Sequence, residues 1–322
     1  MTVVEQRKTA GEQAYKPELI ISAGSMEEVR RYLAAGADAV TVGNLTYAEC
    51  PAGSMNSDEI AQAVRLAHED GKRVYVTVNK IIDNRLLDGL PDYLRSLEQA
   101  GVDAVIFGDP AVLMCVKDHR LQLKLHWSAE MTTTNYMTAN YWAAKGAKRT
   151  ILARELNMEE IKAFKQHADH EVQVQVHGLT NIYHSKRKLV RHYLNYQGRE
   201  LEPVHQENGK VLFLIEKERP DQRYPIIENE NGTHIMSAED YCYLECLDEL
   251  MELKIDAFYI EGLLKPVEYN ETVIRSYRQA IDAYTRDPGQ YEFREEWIDA
   301  IHELQDPGRE LTFGFLFKEQ VY

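Results

Sequence analysis

Several short apolar runs in this chain of 322 residues end in side chains that can exchange protons or bind anions. Imidazole and carboxylate groups are common proton donors and acceptors in enzyme sites, because burial and nearby charge bring their pKa values toward neutral pH. The candidate catalytic residues of this kind are His126, Glu155, His177 and Glu261. Amide and cationic groups at similar positions can hold a substrate, and these candidates are Asn79, Arg154 and Lys265.

Two of these candidates, Arg154 and Lys265, carry positive charge close to a glutamate in the sequence. A pair of cations at one opening can clamp a carboxylate or a phosphate, and arginine offers two parallel hydrogen bonds for this purpose. The alternative is structural, because Arg154-Glu155 and Glu261 with Lys265 alternate in charge and could form a ring of salt bridges. We favour substrate binding.

Two histidines and a carboxylate are also a recurring set of metal ligands. His126 and His177 could form such a set with Glu130 or Glu155 if the fold brings them together. Acid–base or structural roles are commoner for histidines of this kind. The four cysteines also lack the paired spacing of a zinc site. We therefore predict no metal site.

Hydrolytic chemistry has one candidate nucleophile, Ser128, which lies two residues after His126. On a strand the two side chains would face the same side, as a serine–histidine couple requires. The sequence contains neither His-Glu-x-x-His nor Gly-x-Ser-x-Gly, which mark two large classes of hydrolase. Nucleophilic catalysis by Ser128 is therefore kept as an alternative.

A basic segment spans residues 185–196, and tyrosines are interleaved with its cations. The cations that we predict to bind RNA are Lys186, Arg187, Lys188 and Arg191. Lysine and arginine pair with phosphates, and aromatic rings stack on unpaired bases, so this combination suits an RNA contact. The alternative is an ordinary solvated helix face.

The overall composition sets limits on function. The chain has 37 basic and 52 acidic residues, a formal net charge of -15, which disfavours nucleic-acid binding over the whole surface but leaves room for a local basic patch. Four scattered cysteines are typical of a reducing cytoplasm. We find no apolar signal segment and no run long enough to span a bilayer, so we expect a cytoplasmic protein that does not contact membranes.

The elements that must position these residues follow a repeated unit. Residues 35–40 and 100–105 both pass from a helix-ending glycine into an apolar run, which is typical of a helix followed by a buried parallel strand. Eight such strands are predicted, at residues 18–22, 39–42, 73–78, 104–107, 122–126, 149–152, 171–176 and 257–260. The alternation with helices predicts a (β/α)8, TIM-barrel-like fold with its site at the carboxyl ends of the strands. An open doubly wound sheet is the alternative.

The connection after the seventh strand is far longer than one helix needs. Residues 178–237 include three short runs with strand character and two Asn-Gly turns, so we predict a β-rich insertion at this rim of the barrel. The barrel is expected to occupy residues 1–290, and residues 291–322 are expected to form a C-terminal tail that packs on it.

The sequence resembles the collagenase-like peptidase family U32 over nearly its whole length. The motifs that carry the resemblance are residues 16–20, 36–40, 71–79, 153–156, 177–178, 261–265 and 312–315, in that order. Residues 107–113, 125–128 and 317–322 are similar to a subgroup, the shorter of two paralogous bacterial proteins implicated in hydroxylating the tRNA wobble uridine.

The resemblance implies more than one function. The family name implies a collagenase-like peptidase, whereas other relatives are oxygen-independent hydroxylases with a four-cysteine iron–sulfur cluster and prephenate as hydroxyl donor. Where those relatives have the first two cysteines, this chain has Asn181 and Lys188, which cannot replace thiolates. We therefore expect no iron–sulfur cofactor in this chain. We expect a subunit for tRNA 5-hydroxyuridine formation that works with a cluster-bearing paralogue and tRNA, with a peptidase or a non-catalytic partner subunit as alternatives.

Overall fold

The computed structural model describes residues 15–128, 134–199 and 212–319. Its strands, in chain order, are β1 (Glu18–Ser22), β2 (Ala39–Gly43), β3 (Arg73–Val78), β4 (Ala104–Phe107), β5 (Leu125–Ser128), β6 (Ala147–Ile151), β7 (Glu171–Gly178), β8 (Asn181–Ser185), β9 (Leu212–Glu216), β10 (Arg219–Asn229), β11 (Gly232–Met236), β12 (Asp240–Cys242), β13 (Ala257–Glu261) and β14 (Leu311–Thr312). Strands β1 to β7 and β13 are parallel neighbours, and β13 pairs with both β1 and β7. The sheet is therefore a closed eight-stranded barrel, and the predicted (β/α)8 fold is confirmed.

Most helices lie around this barrel or follow it, and α8 belongs to the insertion after β7. They are α1 (Met26–Ala35), α2 (Ser57–Glu69), α3 (Asn84–Leu87), α4 (Leu90–Ala100), α5 (Pro110–Asp118), α6 (Tyr136–Lys145), α7 (Met158–His167), α8 (Leu189–Tyr196), α9 (Leu247–Glu252), α10 (Val267–Arg286) and α11 (Glu295–His302). The repeated glycines end helices as expected. Gly36 after α1 and Gly101 after α4 have φ angles of 119° and 77°, and their amides bond back to carbonyls of the last turn.

The barrel buries two separate sets of apolar side chains. One set fills the space between the strands and the surrounding helices, and it includes Leu19, Ile21 and Phe258. The other set points inward from alternate positions of the strands, and it includes Ile20 and Ile106. Side chains alternate across a strand, so every second residue faces the barrel interior. Toward the carboxyl ends of the strands these inward-facing residues include polar ones.

The insertion after β7 is confirmed as a β-rich unit outside the barrel. Strands β8, β11, β10 and β9 form an antiparallel sheet in that order, and α8 packs beside β11. The predicted turn at Asn231-Gly232 joins β10 to β11, and Gly232 has a φ of 129°. The second predicted turn, at Asn208-Gly209, lies outside the described residues.

The segment between the insertion and β13 differs from the sequence prediction. The sequence pattern predicts a single helix over residues 238–253, but residues 240–242 form β12, which pairs with β7 and with β14. The α-helix begins only at Leu247. The described part of the tail packs on this region through the pairing of β14 with β12. It also packs on the start of α7, since Leu316 is buried and its carbonyl accepts from the amide of Met158.

Candidate functional site

A cavity of about 200 Å³ opens at the carboxyl ends of the barrel strands. Polar residues from five different strand ends line it, which is what the parallel arrangement of the strands predicts. The polar lining includes Ser22, Thr77, Asn79, Ser128, Arg154 and Glu261. Three of the predicted site residues, Asn79, Arg154 and Glu261, therefore meet in one cavity although they are far apart in the sequence.

Glu261 is a cavity carboxylate that accepts three hydrogen bonds. Its Oε1 accepts hydrogen bonds from the Ser22 hydroxyl at 2.5 Å and from the Leu263 amide at 3.1 Å, and its Oε2 accepts from Tyr259 at 3.1 Å. Burial raises the pKa of Glu261 above its usual range, while the Ser22 hydrogen bond and the positive charge of Arg154 act in the opposite direction. A buried carboxyl group with a raised pKa is suited to holding or exchanging a proton.

Arg154 supplies positive charge to the same cavity. Its Nη1 donates to the backbone carbonyl of Asn181 at 3.3 Å. Burial raises the pKa values of Glu261 and Tyr241, and the charge of Arg154 opposes this rise in both. The guanidinium therefore lies between the barrel and the first strand of the insertion. A planar cation in a partly buried cavity is suited to binding a carboxylate or phosphate group.

Asn79 has a positioning role in addition to lining the cavity. Its Oδ1 accepts from the backbone amide of Glu49 at 3.1 Å, which fixes the loop between β2 and α2 against the end of β3. Glu49 also lines the cavity. The loop after β2 thus contributes a carboxylate that the sequence reasoning missed, although the strand-end rule that found Asn79 applies equally to this loop.

His126 lies deeper in the barrel than the sequence prediction required. Its ring packs on Tyr75 with centroids 4.9 Å apart, in the layer where Arg149 bonds to Glu18 at 2.7 Å, and it is not part of the cavity lining. Burial, together with the charges of Arg149 and neighbouring cations, lowers the pKa of His126 well below its usual range. His126 is therefore neutral and enclosed, and the structure does not bring it to the substrate cavity.

His177 faces the helices instead of the cavity. The pairing of β7 with β13 passes from Gln175–Tyr259 directly to His177–Ile260, so Val176 is an extra residue that shifts the alternation of side chains. The Nε2 atom of His177 lies 2.9 Å from the Tyr269 hydroxyl on α10. Complete burial lowers the pKa of His177 to about 3. The expected meeting of His126 and His177 across the cavity is not observed.

Lys265 is part of a buried ion cluster and does not line the cavity. Its ammonium group contacts Asp240, which also receives Arg309 at 2.8 Å, and all three side chains are less than a tenth exposed. Burial alone would raise the pKa of Asp240, but the Arg309 hydrogen bond and the Lys265 charge hold it well below its usual range. The structural alternative for this lysine is the one the geometry favours.

The remaining predicted residues lie at the surface. Glu155 is exposed beside Arg154 and does not line the cavity. Lys186, Arg187 and Arg191 are exposed at the end of β8 and on α8, and Lys188 is half-buried at the start of that helix. Tyr183, Tyr193 and Tyr196 are about half to nine-tenths exposed near these cations (49%, 59% and 91%), so the segment forms a basic and aromatic edge of the insertion. Glu130 lies outside the described residues.

Two histidines of the insertion complete the group that sequence reasoning missed. His184 on β8 lines the cavity, and its Nε2 lies 2.6 Å from Oε1 of Glu49. His234 on β11 stacks on His184 with ring centroids 4.7 Å apart. No spacing in the sequence signals this group, because its members lie on the β2–α2 loop and on two antiparallel strands that pair only in the folded insertion.

The iron–sulfur cluster implied by the resemblance does not fit this chain. The four cysteines lie on four different segments: Cys50 on the cavity wall, Cys115 on α5, Cys242 on β12 and Cys246 in the short 3₁₀ turn before α9. Within residues 15–128, 134–199 and 212–319, the group of three or more potential ligands that comes together contains no cysteine. Asn181, where the first cysteine is expected, lines the cavity. We derive no chemistry in this chain from such a cluster.

The fold and the site define a class of protein, a parallel (β/α)8 barrel with an acid-and-cation cavity at its carboxyl rim. A family model described as "Peptidase family U32" matches residues 24–321 of the sequence. The chain belongs to this family.

Individual members of the family show different degrees of similarity to this chain. The chain is 45% identical to tRNA hydroxylation protein P2 of Bacillus subtilis (strain 168) over 308 residues, which cover 95% of this chain and 99% of the relative. It is 30% identical to tRNA hydroxylation protein P1 of the same organism, over 89% of this chain and 68% of that protein. A solved structure, that of the U32 peptidase Mk0906, aligns with a TM-score of 0.48 at 15% identity and covers 79% of this chain and 95% of that one. No helix in the described ranges has the length and apolar character needed to span a membrane.

Proposed function

We propose that this chain is a subunit of an assembly that hydroxylates the wobble uridine of tRNA to 5-hydroxyuridine. The observation that carries the proposal is the 45% identity to tRNA hydroxylation protein P2, which extends over nearly the whole of both chains. The occurrence of proteins P1 and P2 in one organism supports a paired arrangement. In that arrangement the paralogue supplies the iron–sulfur cluster, since the cysteines of this chain do not fit one.

The barrel cavity would hold the small anionic donor, for which prephenate is our candidate. A carboxylate of the donor would pair with Arg154, and Asn79 offers an amide at the same opening. Glu261, whose pKa is raised by burial, would hold or release a proton beside the bound anion. His126, His177 and Lys265 would support the barrel and would not touch the donor. The hydroxyl transfer itself needs the redox group of the paralogue, and we assign no step of it to this chain.

The basic edge of the insertion would contact tRNA. Lys186, Arg187 and Arg191 are exposed, and tyrosines stand beside them, which together provide phosphate pairing and base stacking. The strongly acidic remainder of the chain, with a formal net charge of -15 overall, would confine the RNA to this edge.

Genetic complementation tests the proposal. Deleting the gene in its native host should abolish or strongly reduce 5-hydroxyuridine in tRNA, measured by mass spectrometry of digested tRNA, and the wild-type gene should restore it. A gene carrying Arg154→Gln should fail to restore the modification. A gene carrying Arg95→Gln, at a partly exposed residue of α4 that does not line the cavity, should succeed. Full modification in the deletion strain would refute the proposal. Restoration by Arg154→Gln would instead indicate a non-catalytic partner subunit.

A collagenase-like peptidase is the second candidate, which the family description and the position of Ser128 in the cavity favour. His126 would be the base for this serine, but it lies one layer deeper and packs on Tyr75. The purified chain should therefore show no gelatin hydrolysis above that of Ser128→Ala. Cleavage that depends on Ser128 would establish the peptidase instead.

A further inference from the structure

Three potential metal ligands from three separate segments meet at the rim of the cavity. Glu49 lies in the loop between β2 and α2, His184 on β8 and His234 on β11. One ligand atom of each residue lies within 4.8 Å of those of the other two. Across the described ranges, no other group of three or more histidine, cysteine or carboxylate side chains is gathered this closely.

His234 is held in the state that a metal ligand needs. Its Nε2 lies 3.2 Å from Oδ1 of Asn229, and that oxygen also accepts the amide of Asn231 at 2.8 Å. An amide oxygen only accepts hydrogen bonds, so Nε2 of His234 carries the ring proton and Nδ1 keeps its lone pair. The side chain is fully buried, and Nδ1 has no hydrogen-bond partner among the described residues. An imidazole fixed through one nitrogen and unsatisfied at the other is the usual arrangement of a histidine that binds a metal.

The other two side chains form a short contact that a cation can replace. Oε1 of Glu49 lies 2.6 Å from Nε2 of His184, and that nitrogen also lies 3.4 Å from the backbone carbonyl of Asn231, so a bound cation would displace the ring proton at Nε2. Oε1 is buried and makes no well-directed hydrogen bond within the described part of the chain. The rings of His184 and His234 are nearly parallel, with an angle of 15° between them. Two imidazoles and a carboxylate oxygen are therefore gathered around one point.

A second layer of hydrogen bonds fixes this arrangement. Nδ2 of Asn231 donates to the carbonyls of Ala48 at 2.8 Å and of Glu49 at 2.9 Å, so the loop that carries Glu49 is fastened to the hairpin that carries His234. Asn231 is itself buried. Such outer contacts reduce the reorganisation that metal binding would require.

We propose that Glu49, His184 and His234 bind a divalent transition-metal cation, with Zn²⁺ and Fe²⁺ as the two candidates. Two imidazoles with one carboxylate are the protein ligands of several catalytic zinc sites and of non-haem iron sites. Such a set leaves positions for water or for a ligand from the cavity, which Glu49 and His184 line. The positive charges of Lys80 and Lys186 also act on Glu49, so the site should bind a cation less tightly than it would without these lysines.

Metal titration of the chelator-treated, full-length protein tests the proposal. Isothermal calorimetry with Zn²⁺, and with Fe²⁺ under anaerobic conditions, should show one equivalent per chain. Glu49→Gln and His234→Ala should each weaken binding by about 100-fold or more, since losing even an outer contact of a metal site costs roughly 10–100-fold. His119→Gln, a change at an exposed histidine that directly follows α5, should bind as the wild type does.

Spectroscopy of the wild-type protein removes the dependence on folding of the variants. X-ray absorption of the Zn²⁺-loaded chain should show imidazole and oxygen ligands and no sulfur. Absence of stoichiometric binding, a sulfur shell, or unchanged affinity in the isosteric Glu49→Gln variant would each overturn the proposal. These measurements use neither tRNA nor prephenate, so their failure would leave the proposed hydroxylation function untouched.

Discussion

The Ser22 hydroxyl donates to Glu261 at 2.5 Å and accepts from the Gly262 amide at 2.8 Å, across the seam where β1 and β13 close the barrel. The first and last barrel strands are thus joined by a side chain that also sets the proton affinity of the cavity carboxylate. Closure of the fold and tuning of the site depend on the same hydrogen bond.

Removing this hydrogen bond should raise the pKa of Glu261. The bond lowers that pKa against the effect of burial, so Ser22→Ala should shift it upward and should cost about 1–3 kcal/mol of stability, as for a hydrogen bond to a charged group. Side-chain ¹³C NMR titration of glutamate-labelled protein measures the shift. Ser57→Ala, which removes an exposed hydroxyl at the start of α2, is the control. An unchanged Glu261 pKa in Ser22→Ala would contradict this account.

Arg154 should determine the affinity of the cavity for carboxylates. We expect Arg154→Gln to weaken prephenate binding about tenfold or more, because a charge-assisted hydrogen bond is lost in a partly buried site. Calorimetric titration measures the affinity. Arg154→Lys keeps the charge but not the planar pair of donors, so its prephenate affinity should lie between those of the wild type and Arg154→Gln. Equal affinities for wild type and Arg154→Gln would place the donor elsewhere.

Removing charge from the basic edge should weaken tRNA binding. The triple variant with alanine at 186, 187 and 188 should lower affinity in gel shifts, and its binding should depend less steeply on salt, since about three phosphate contacts are lost. The matched control replaces Arg30, Arg65 and Lys162, which are exposed on α1, α2 and α7 and carry the same total charge. If both triple variants lose affinity equally, overall charge and not this edge governs binding. Both should be tested alone and with the paralogue.

His177 should make the protein less stable as the pH falls below neutral. Its pKa is about 3 in the folded state against an ordinary value of 6.5, so the unfolded chain binds the extra proton between these values. The stability conferred by neutral His177 is fully present above about pH 6.5 and is lost progressively toward pH 3. His177→Gln can still bond to Tyr269 and should flatten this part of the pH profile, measured by urea unfolding. A pH profile of His177→Gln identical to that of the wild type would contradict the assignment of this stability change to His177.

The buried ion cluster should matter for stability and not for ligand affinity. Asp240→Asn leaves Lys265 and Arg309 buried without their carboxylate, which should destabilise the fold by about 3–5 kcal/mol. Lys265→Met should cost less, because Asp240 keeps Arg309. Thermal unfolding measures both. Prephenate affinity of folded Lys265→Met should equal that of the wild type, and a large loss would return Lys265 to the list of substrate-binding residues.

The sequence alone determined the barrel and part of its cavity. Buried parallel strands and the helix-ending glycines are local patterns, since each depends on a few neighbouring residues, and the closed barrel follows from their repetition. Asn79, Arg154 and Glu261 were found because they lie at or just beyond strand ends, and every parallel strand ends on the same rim. Predicting these three residues required the positions of the strands but not the register in which the strands pair.

The positions of the other site residues depend on the tertiary structure. His177 faces away from the cavity because β7 has an extra residue, and His126 lies one layer below the cavity. Alternation along a strand gives neither the register of the strands nor the depth of a side chain in the barrel. Glu49, His184 and His234 came together only because the insertion folds as an antiparallel sheet and Asn231 fastens it to a barrel loop. Such contacts depend on pairing between distant segments, for which a single sequence holds no local signal.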